Sequence, residues 1–321
     1  MTTKIRFKST MFLFLSIIMV LTSTILLMEG HAFSLSSSIE EPIQPRTSSI
    51  TELVPQPLSA KSSLYINSQE ALLIQLDDQD VLLDINSSQK IYPASMTKIM
   101  TAIIAVENLP DLEEPVFLGD EVFSYIYTAG ASMAGFQPNE KVRGIDLLYG
   151  VLLPSGAECS IGLAMQISGS EDNFVKLMNQ KAKALGMEDT HFANVTGLHD
   201  DNHYSTVRDI AALLEYALQN DTFRQIFTSH QYSTAATNMH PDGITFYSSM
   251  FRMMDEAEFD GGIILGGKTG YTSKAGQCLA SLAEKDGTEY ILVTAGAAGT
   301  PQTEQLHIKD AHEIYENYLP N

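Results

Sequence analysis

Cysteine is scarce: the 321 residues contain only Cys159 and Cys278. That excludes the disulfide frameworks of small secreted domains, while a single bridge between the two is left open. Positive charge is scarce as well. With 19 Lys and Arg against 39 Asp and Glu, the formal net charge is −20. This excludes nucleic acid as a partner, because a phosphate backbone is bound by basic surface. It also excludes electrostatic docking on anionic lipid. Acidity of this kind keeps a chain soluble and says nothing about fold. Internal repeats are absent too. What remains, 44% apolar and 18% charged, is the make-up of a globular chain with a sizeable core, long enough for one large domain or two modest ones.

The N-terminus carries the one long apolar run. Lys4, Arg6 and Lys8 precede an uncharged stretch from Met11 to Met28, and "EGHAFS" follows, with Gly30 and Ala32 at signal-peptidase spacing. This is the layout of a secretory signal. As a helix the stretch would be about 27 Å long, against a hydrocarbon core of about 30 Å. Cleavage after Ala32 is expected, with retention of residues 11–28 as an anchor the alternative; either way the body lies outside the cytoplasm. Losing residues 1–32 removes Lys4, Arg6, Lys8 and Glu29, so the exported part is more acidic still. Residues 33–62, rich in Ser, Pro and Glu and without periodicity, read as an extended disordered linker. The folded body is expected over residues 63–321.

Within it, "EALLIQLDDQDVLLDINS" holds two apolar runs around a polar turn, a hairpin pattern. "SMTKIMTAIIAVENL" has apolar residues at helical spacing. "GIDLLYGVLLPSGAECSIGLAMQIS", "SEDNFVKLMNQKAKALGM" and "STVRDIAALLEYALQN" read as further helices, the second closed by Gly186 and the third capped by Ser205 or Thr206. "QCLASLAE", the turn "KDG" and "EYILVTAGA" form a second hairpin, and "TEQLHIKDAHEIYENYL" a closing helix. Strands at both ends around a helical middle predict a mixed α/β fold: one antiparallel sheet, built from the terminal segments, with helices on both faces.

Three short motifs carry chemistry. In "YPASMTKIM", Ser95 and Lys98 stand three positions apart, which on a helix puts them on one face. Burial among Ile99, Met100 and Ile103 would favour the neutral amine, by up to about 3–5 pKa units at full burial. Such an amine can take the hydroxyl proton and leave an alkoxide nucleophile, and the helix N-terminus favours the negative oxygen. Taken alone, S-x-x-K more often means a helix-start serine and a snorkelling surface lysine. In "LLPSGAEC", Ser155 and Gly156 interrupt two apolar helical stretches. In "GGKTGYTSKAG", Lys268 and Thr269 lead into strand-like sequence, where a cation and a hydroxyl can receive a carboxylate and Gly270 allows close backbone approach.

Together with "TGLHDDNHYSTVRDIA", these stretches make residues 63–300 resemble the serine-type D-Ala-D-Ala carboxypeptidases, the low-molecular-weight penicillin-binding proteins. Ser95, Ser155 and Lys268 follow the family order S-x-x-K, S-x-N, K-T-G at intervals of about sixty and about 110 residues. The resemblance implies a β-lactamase/transpeptidase-like fold with a helical subdomain, and no cofactor or metal. It implies Ser95 as the nucleophile that forms an acyl-enzyme, Lys98 as its base, and Ser155 as proton relay to the leaving amine. Lys268, Thr269 and Gly270 would receive the terminal carboxylate, and the backbone N–H groups of Ser95 and Tyr271 would form the oxyanion hole. The implied partners are the peptidoglycan stem peptide and β-lactams as covalent inhibitors. Arg252 stands where some relatives place a carboxylate-binding arginine; a solvated surface arginine is the plainer reading. Many relatives also carry a C-terminal β-domain and an amphipathic membrane helix, neither of which is expected before Asn321.

One departure matters. Ala157 occupies the position of the family's asparagine, whose amide helps orient the base lysine. Losing such a contact costs about 1–3 kcal/mol. Glu158 is a candidate to compensate by pairing with Lys98. The departure keeps open a wall-peptide-binding homologue without efficient catalysis. A β-lactamase fits less well, because no E-x-x-x-N element occurs in residues 160–260. Other patterns are set aside. "GIILGGKT" satisfies the P-loop spelling but lacks a following helix. His199 and His203 beside Asp200 and Asp201 lie in a loop-like run, and His240 with Asp242 adds no nucleophile constellation. Cys159 reads as a small packed residue.

Overall fold

The computed structural model describes residues 65–320; the expected signal segment and linker lie outside the described residues. In chain order the elements are β1 (Glu70–Gln75), β2 (Val81–Ile85), a 3-10 turn (Ala94–Met96), α1 (Thr97–Asn108), β3 (Pro115–Leu118), α2 (Asp120–Phe123), β4 (Glu140–Arg143), α3 (Gly144–Leu152), α4 (Ala157–Ser168), α5 (Glu171–Ala184), α6 (Val207–Leu218) and α7 (Asp221–Phe227). There follow β5 (Gln231–Ser233), β6 (Thr245–Tyr247), β7 (Glu258–Phe259), β8 (Gly262–Thr272), β9 (Gly276–Lys285), β10 (Thr288–Ala297) and α8 (Leu306–Tyr318).

The main sheet runs β2-β1-β10-β9-β8-β7, antiparallel throughout. Its alternation explains the layers, since successive side chains of a strand point to opposite faces. Leu72, Ile74, Ile291 and Val293 face one core, and Leu73 and Leu292 the other. A sheet that is apolar on both sides needs cover on both. Ile308, Ala311, Ile314 and Tyr315 of α8 cover one face, and residues of α1 and α6, including Ile103, Ile210 and Leu214, pack in the core on the other. Leu72 lies opposite Val293, so the expected pairing of the terminal segments is present. The fold is mixed α/β.

Helix ends fall where side chains satisfy free N–H groups. Ser170 accepts from Asn173 N–H (3.2 Å) at the start of α5, and Thr206 from Asp209 N–H (3.0 Å) at the start of α6. Of the two cap candidates it is therefore Thr206. Ser205 instead exchanges backbone hydrogen bonds with Ile91 (2.8 and 3.0 Å), tying the start of α6 to the segment before the 3-10 turn. Gly169 and Gly186, both at φ +75°, end α4 and α5.

The P-loop spelling falls inside β8, a strand followed by β9, so its residues form no phosphate loop. β7 pairs with only the first two residues of β8. Beyond them one edge of β8 has no strand neighbour among the described residues, and the site lies there. No helix among the described residues is long and apolar enough to cross a membrane.

Candidate active site

A cleft of about 420 Å³ opens where the 3-10 turn, the α3–α4 break and β8 meet, and Ser95, Lys98, Ser155, Thr269, Gly270 and Tyr271 all line it. The backbone is unusual at two of these joints. Ala94 (φ +47°) and Ser155 (φ +68°) hold the left-handed conformation, which costs an L-residue about 1–2 kcal/mol. The other such non-glycine residues among the described residues are Gln79, Asn86, Asn139 and Asp286. Strain of this kind persists where surrounding structure enforces it. Here it falls immediately before Ser95 and at Ser155, both of which line the cleft.

Lys98 is 2% exposed, and its Nζ lies 3.2 Å from Ser95 Oγ. Its other partner among the described residues is the Thr196 carbonyl, at 2.6 Å. Burial pulls its pKa down from 10.5 to about 8, against the opposing charge of Glu158. Full desolvation alone can shift a lysine by about 3–5 units, so Glu158 moderates the effect. The amine is thus poised to release and accept a proton near neutral pH. Acylation of Ser95 is accordingly expected to rise with pH and to level off above about 8, as Lys98 becomes neutral.

Glu158 does not pair with Lys98. Its Oε1 accepts from the N–H groups of Ala134 (2.7 Å) and Gly135 (2.8 Å), and its Oε2 has no hydrogen-bond partner among the described residues. The carboxylate therefore holds the 130–135 rim of the cleft and reaches the lysine only through its field. Glu158→Gln keeps an oxygen for both N–H groups while removing the charge. The pH profile of acylation should then move to lower pH, and a rate profile unmoved in Glu158→Gln would disprove the electrostatic link.

Lys268 is fully buried and does not line the cleft. Its Nζ donates to Ser155 Oγ (3.0 Å) and to the Thr269 carbonyl (2.9 Å). Burial, reinforced by the neighbouring Lys98, lowers its pKa well below the usual lysine value. Because Ser155 Oγ accepts from Lys268, its own hydrogen is free to point into the cleft. Facing it, Thr269 Oγ1 and Ser249 Oγ are 2.7 Å apart. Gly270 fits closely against the turn: an added Cβ would stand 3.1 Å from Ser95 N. As an early N–H of a helical turn, Ser95 N–H lacks a partner within the turn and can serve a developing oxyanion.

Sequence reading missed Ser249, the Thr196 carbonyl, and the far end of the cleft at Pro301, Gln302, Gln305 and His307. Only the "NVTG" stretch carried a signal, because Asn before a nearby Gly reads as a side-chain-closed turn. Arg252 is exposed and outside the cleft. His203 accepts from Ala193 N–H at Nδ1 (3.1 Å), which leaves its Nε2–H for Thr97 Oγ1 (2.7 Å). Burial pushes its pKa down to about 4, so it is a neutral strut beneath the turn. Both cysteines are free and buried, which resolves the open question of a bridge.

Residues 57–299 match the family model described as D-alanyl-D-alanine carboxypeptidase. The D-alanyl-D-alanine carboxypeptidase DacF of Bacillus subtilis (strain 168) is 34% identical over 249 residues, which cover 77% of this chain and 61% of that protein. DacC of Escherichia coli (strain K12) is 28% identical over 268 residues, covering 78% and 60%. The chain thus spans about three fifths of the length of these curated relatives. The crystal structure of the Streptomyces K15 DD-transpeptidase superposes with a TM-score of 0.71 at 26% identity, over 80% of this chain and 98% of that one. The matched region takes in the turn, the helix break and the strand edge that together make the cleft, and the chain belongs to the D-alanyl-D-alanine carboxypeptidase family, peptidase family S11.

Proposed function

We propose that the protein is an exported serine D,D-carboxypeptidase that removes terminal D-alanine from peptidoglycan stem pentapeptides. The observation that carries this reading is the Lys98 amine, buried and held 3.2 Å from Ser95 Oγ. A hydroxyl is a weak nucleophile at neutral pH and needs such a base.

Ser95 Oγ attacks the carbonyl of the penultimate D-alanine while Lys98 takes its proton. The N–H groups of Ser95 and Tyr271 receive the oxyanion. Ser155, fixed by Lys268, gives its hydrogen to the departing amine and recovers one from Lys98, so D-alanine leaves and Lys98 is neutral again. Water then attacks the ester, with Lys98 as base, and Ser95 is restored. The substrate's terminal carboxylate rests against the hydroxyls of Thr269 and Ser249, with the Lys268 Nζ behind them. β-Lactams present an acyl group and a carboxylate of similar geometry and acylate the same serine. The charged leader of residues 1–32 supports action outside the cytoplasm, on the wall.

The test is D-alanine release from diacetyl-Lys-D-Ala-D-Ala, together with mass spectrometry of the penicillin-treated protein. Release, with the adduct on the Ser95 peptide, is expected. Binding of the peptide without release would favour the wall-peptide-binding alternative, for which Ala157 is the motive. Sustained hydrolysis of nitrocefin would point to a β-lactamase instead.

A further inference from the structure

The lysine that activates Ser95 is aimed by a backbone oxygen, and the loop that carries this oxygen is closed by the amide of Asn194. Ala157 opens α4 with no side-chain acceptor. Lys98 Nζ donates instead to the Thr196 carbonyl, at 2.6 Å the shorter of its two hydrogen bonds. The 194–198 loop that carries this carbonyl is closed by Asn194. Asn194 Oδ1 accepts from Thr196 N–H (3.1 Å), Thr196 Oγ1 (3.1 Å) and Gly197 N–H (2.7 Å), and Nδ2 donates to the Leu198 carbonyl (2.9 Å). All four bonds thus converge on one amide, and Asn194 itself does not line the cleft.

We propose that Asn194 is the positioning residue of the catalytic base: its amide fixes the Thr196 carbonyl, which orients the Lys98 lone pair toward the Ser95 hydroxyl. The inference rests on the proposed acyl-enzyme chemistry. A neutral amine that gives one N–H to Thr196 has its rotation about the terminal bond restricted, and the lone pair then faces Oγ. When Lys98 is protonated, the same carbonyl stabilises the ammonium, since hydrogen bonds to the charged form favour it. Loosening the loop therefore has two effects of known sign. It lowers the rate, because the base is no longer aimed, and it lowers the pH at which Lys98 becomes neutral.

Other groups also face Lys98 or its loop. Glu158 and Cys159 of α4, Lys268 of β8 and the neutral His203 are the titratable groups around the lysine. Glu171 of α5 accepts from Val195 N–H and from Tyr125. None of them is altered by changing Asn194, so a shift of the profile in that variant reports the loop.

The experiment measures the second-order rate of acylation by a fluorescent penicillin, from about pH 6 to about pH 10. Wild type, Asn194→Ala and Asn194→Ser are compared, with thermal unfolding as the check on folding. Asn194→Ala is expected to acylate roughly 10- to 100-fold more slowly, with the midpoint of its pH profile displaced to lower pH. Asn194→Ser can still accept hydrogen bonds in a similar turn but cannot also hold Leu198, so it should fall between the two in both rate and midpoint. A variant that slows with an unmoved midpoint has only a structural defect and overturns the proposal, as does one indistinguishable from wild type. If Asn194→Ala fails to unfold cooperatively, Asn194→Ser decides by the same two readouts. Wild type that gains no adduct at all overturns the proposed activity instead.

Discussion

Lys98→Met is expected to slow acylation of Ser95 by about 10³- to 10⁴-fold and to flatten its pH dependence, while the protein stays folded. Methionine matches the length of the lysine stem and is apolar, so it occupies a site that is 2% exposed without the cost of burying an amine. The Thr196 carbonyl then loses its donor, at about 1–3 kcal/mol. The two effects oppose each other, and the unfolding midpoint should remain near that of wild type. Activity and stability thus separate at one residue, as expected where a polar group is buried for chemistry rather than for packing. Ser95→Ala is the companion variant, which should gain no penicillin adduct and release no D-alanine. An adduct on Ser95→Ala, or near-normal acylation of Lys98→Met, would remove Ser95 and Lys98 from their roles.

Gly197→Ala should be the most damaging alanine substitution among the described glycines. Gly197 has φ +81°, and a Cβ built on it would stand 1.9 Å from the Ala94 carbonyl oxygen, 2.4 Å from its carbon and 3.0 Å from Ser95 N. These are backbone atoms of the turn that carries Ser95, and they cannot swing aside like a side-chain tip. The left-handed φ adds about 1–2 kcal/mol for an L-residue. Relief requires moving the 3-10 turn away from the 194–198 loop, which separates Ser95 and Lys98 from the Thr196 carbonyl. We expect a loss of about 2–4 kcal/mol in stability and at least about 100-fold in acylation. Gly270→Ala provides the graded comparison. Its nearest neighbours would be Ser95 N at 3.1 Å and the Ala94 Cβ and Pro93 oxygen at 3.2 Å, with no left-handed φ to maintain. A shift of a few tenths of an ångström accommodates it, so chemical denaturation and acylation rates should rank Gly270→Ala well above Gly197→Ala. The reverse order would show that the loop, rather than the strand, is the compliant wall.

The contrast between these two glycines also marks what the sequence made legible. Periodicity placed the β1–β2 and β9–β10 hairpins and the longer helices because alternating and 3.6-residue patterns are local properties, whereas the short β3–β4 and β5–β6 hairpins were not foreseen; the pairing of β1 with β10 followed from where the strands lay in the chain. The Ser95–Lys98 relation was local too, being one helical turn. The acceptor for Lys98 was not: Thr196 lies ninety-eight positions away and contributes a carbonyl, a group that every residue possesses. Ser249 was hidden for a related reason, since its meaning comes only from a partner, Thr269, across the cleft. Glu158 was misread because adjacency to Ala157 suggested a charge pair with Lys98, whereas the geometry aims its oxygen at two N–H groups of the rim. Lys268 was identified by spelling, but its complete burial and its bond to Ser155 required the folded chain.

Because Glu70–Gln75 hydrogen-bonds to Thr288–Ala297, the first strand of the sheet must wait for a partner that is synthesised much later. Closing so long a loop is slow relative to local helix formation. Synthesis proceeds from the N-terminus, so the seryl hydroxyl emerges long before the strand that completes its pocket. A chain on which β8 and β10 are still unmade therefore has no assembled cleft, and competence arrives in a single late step.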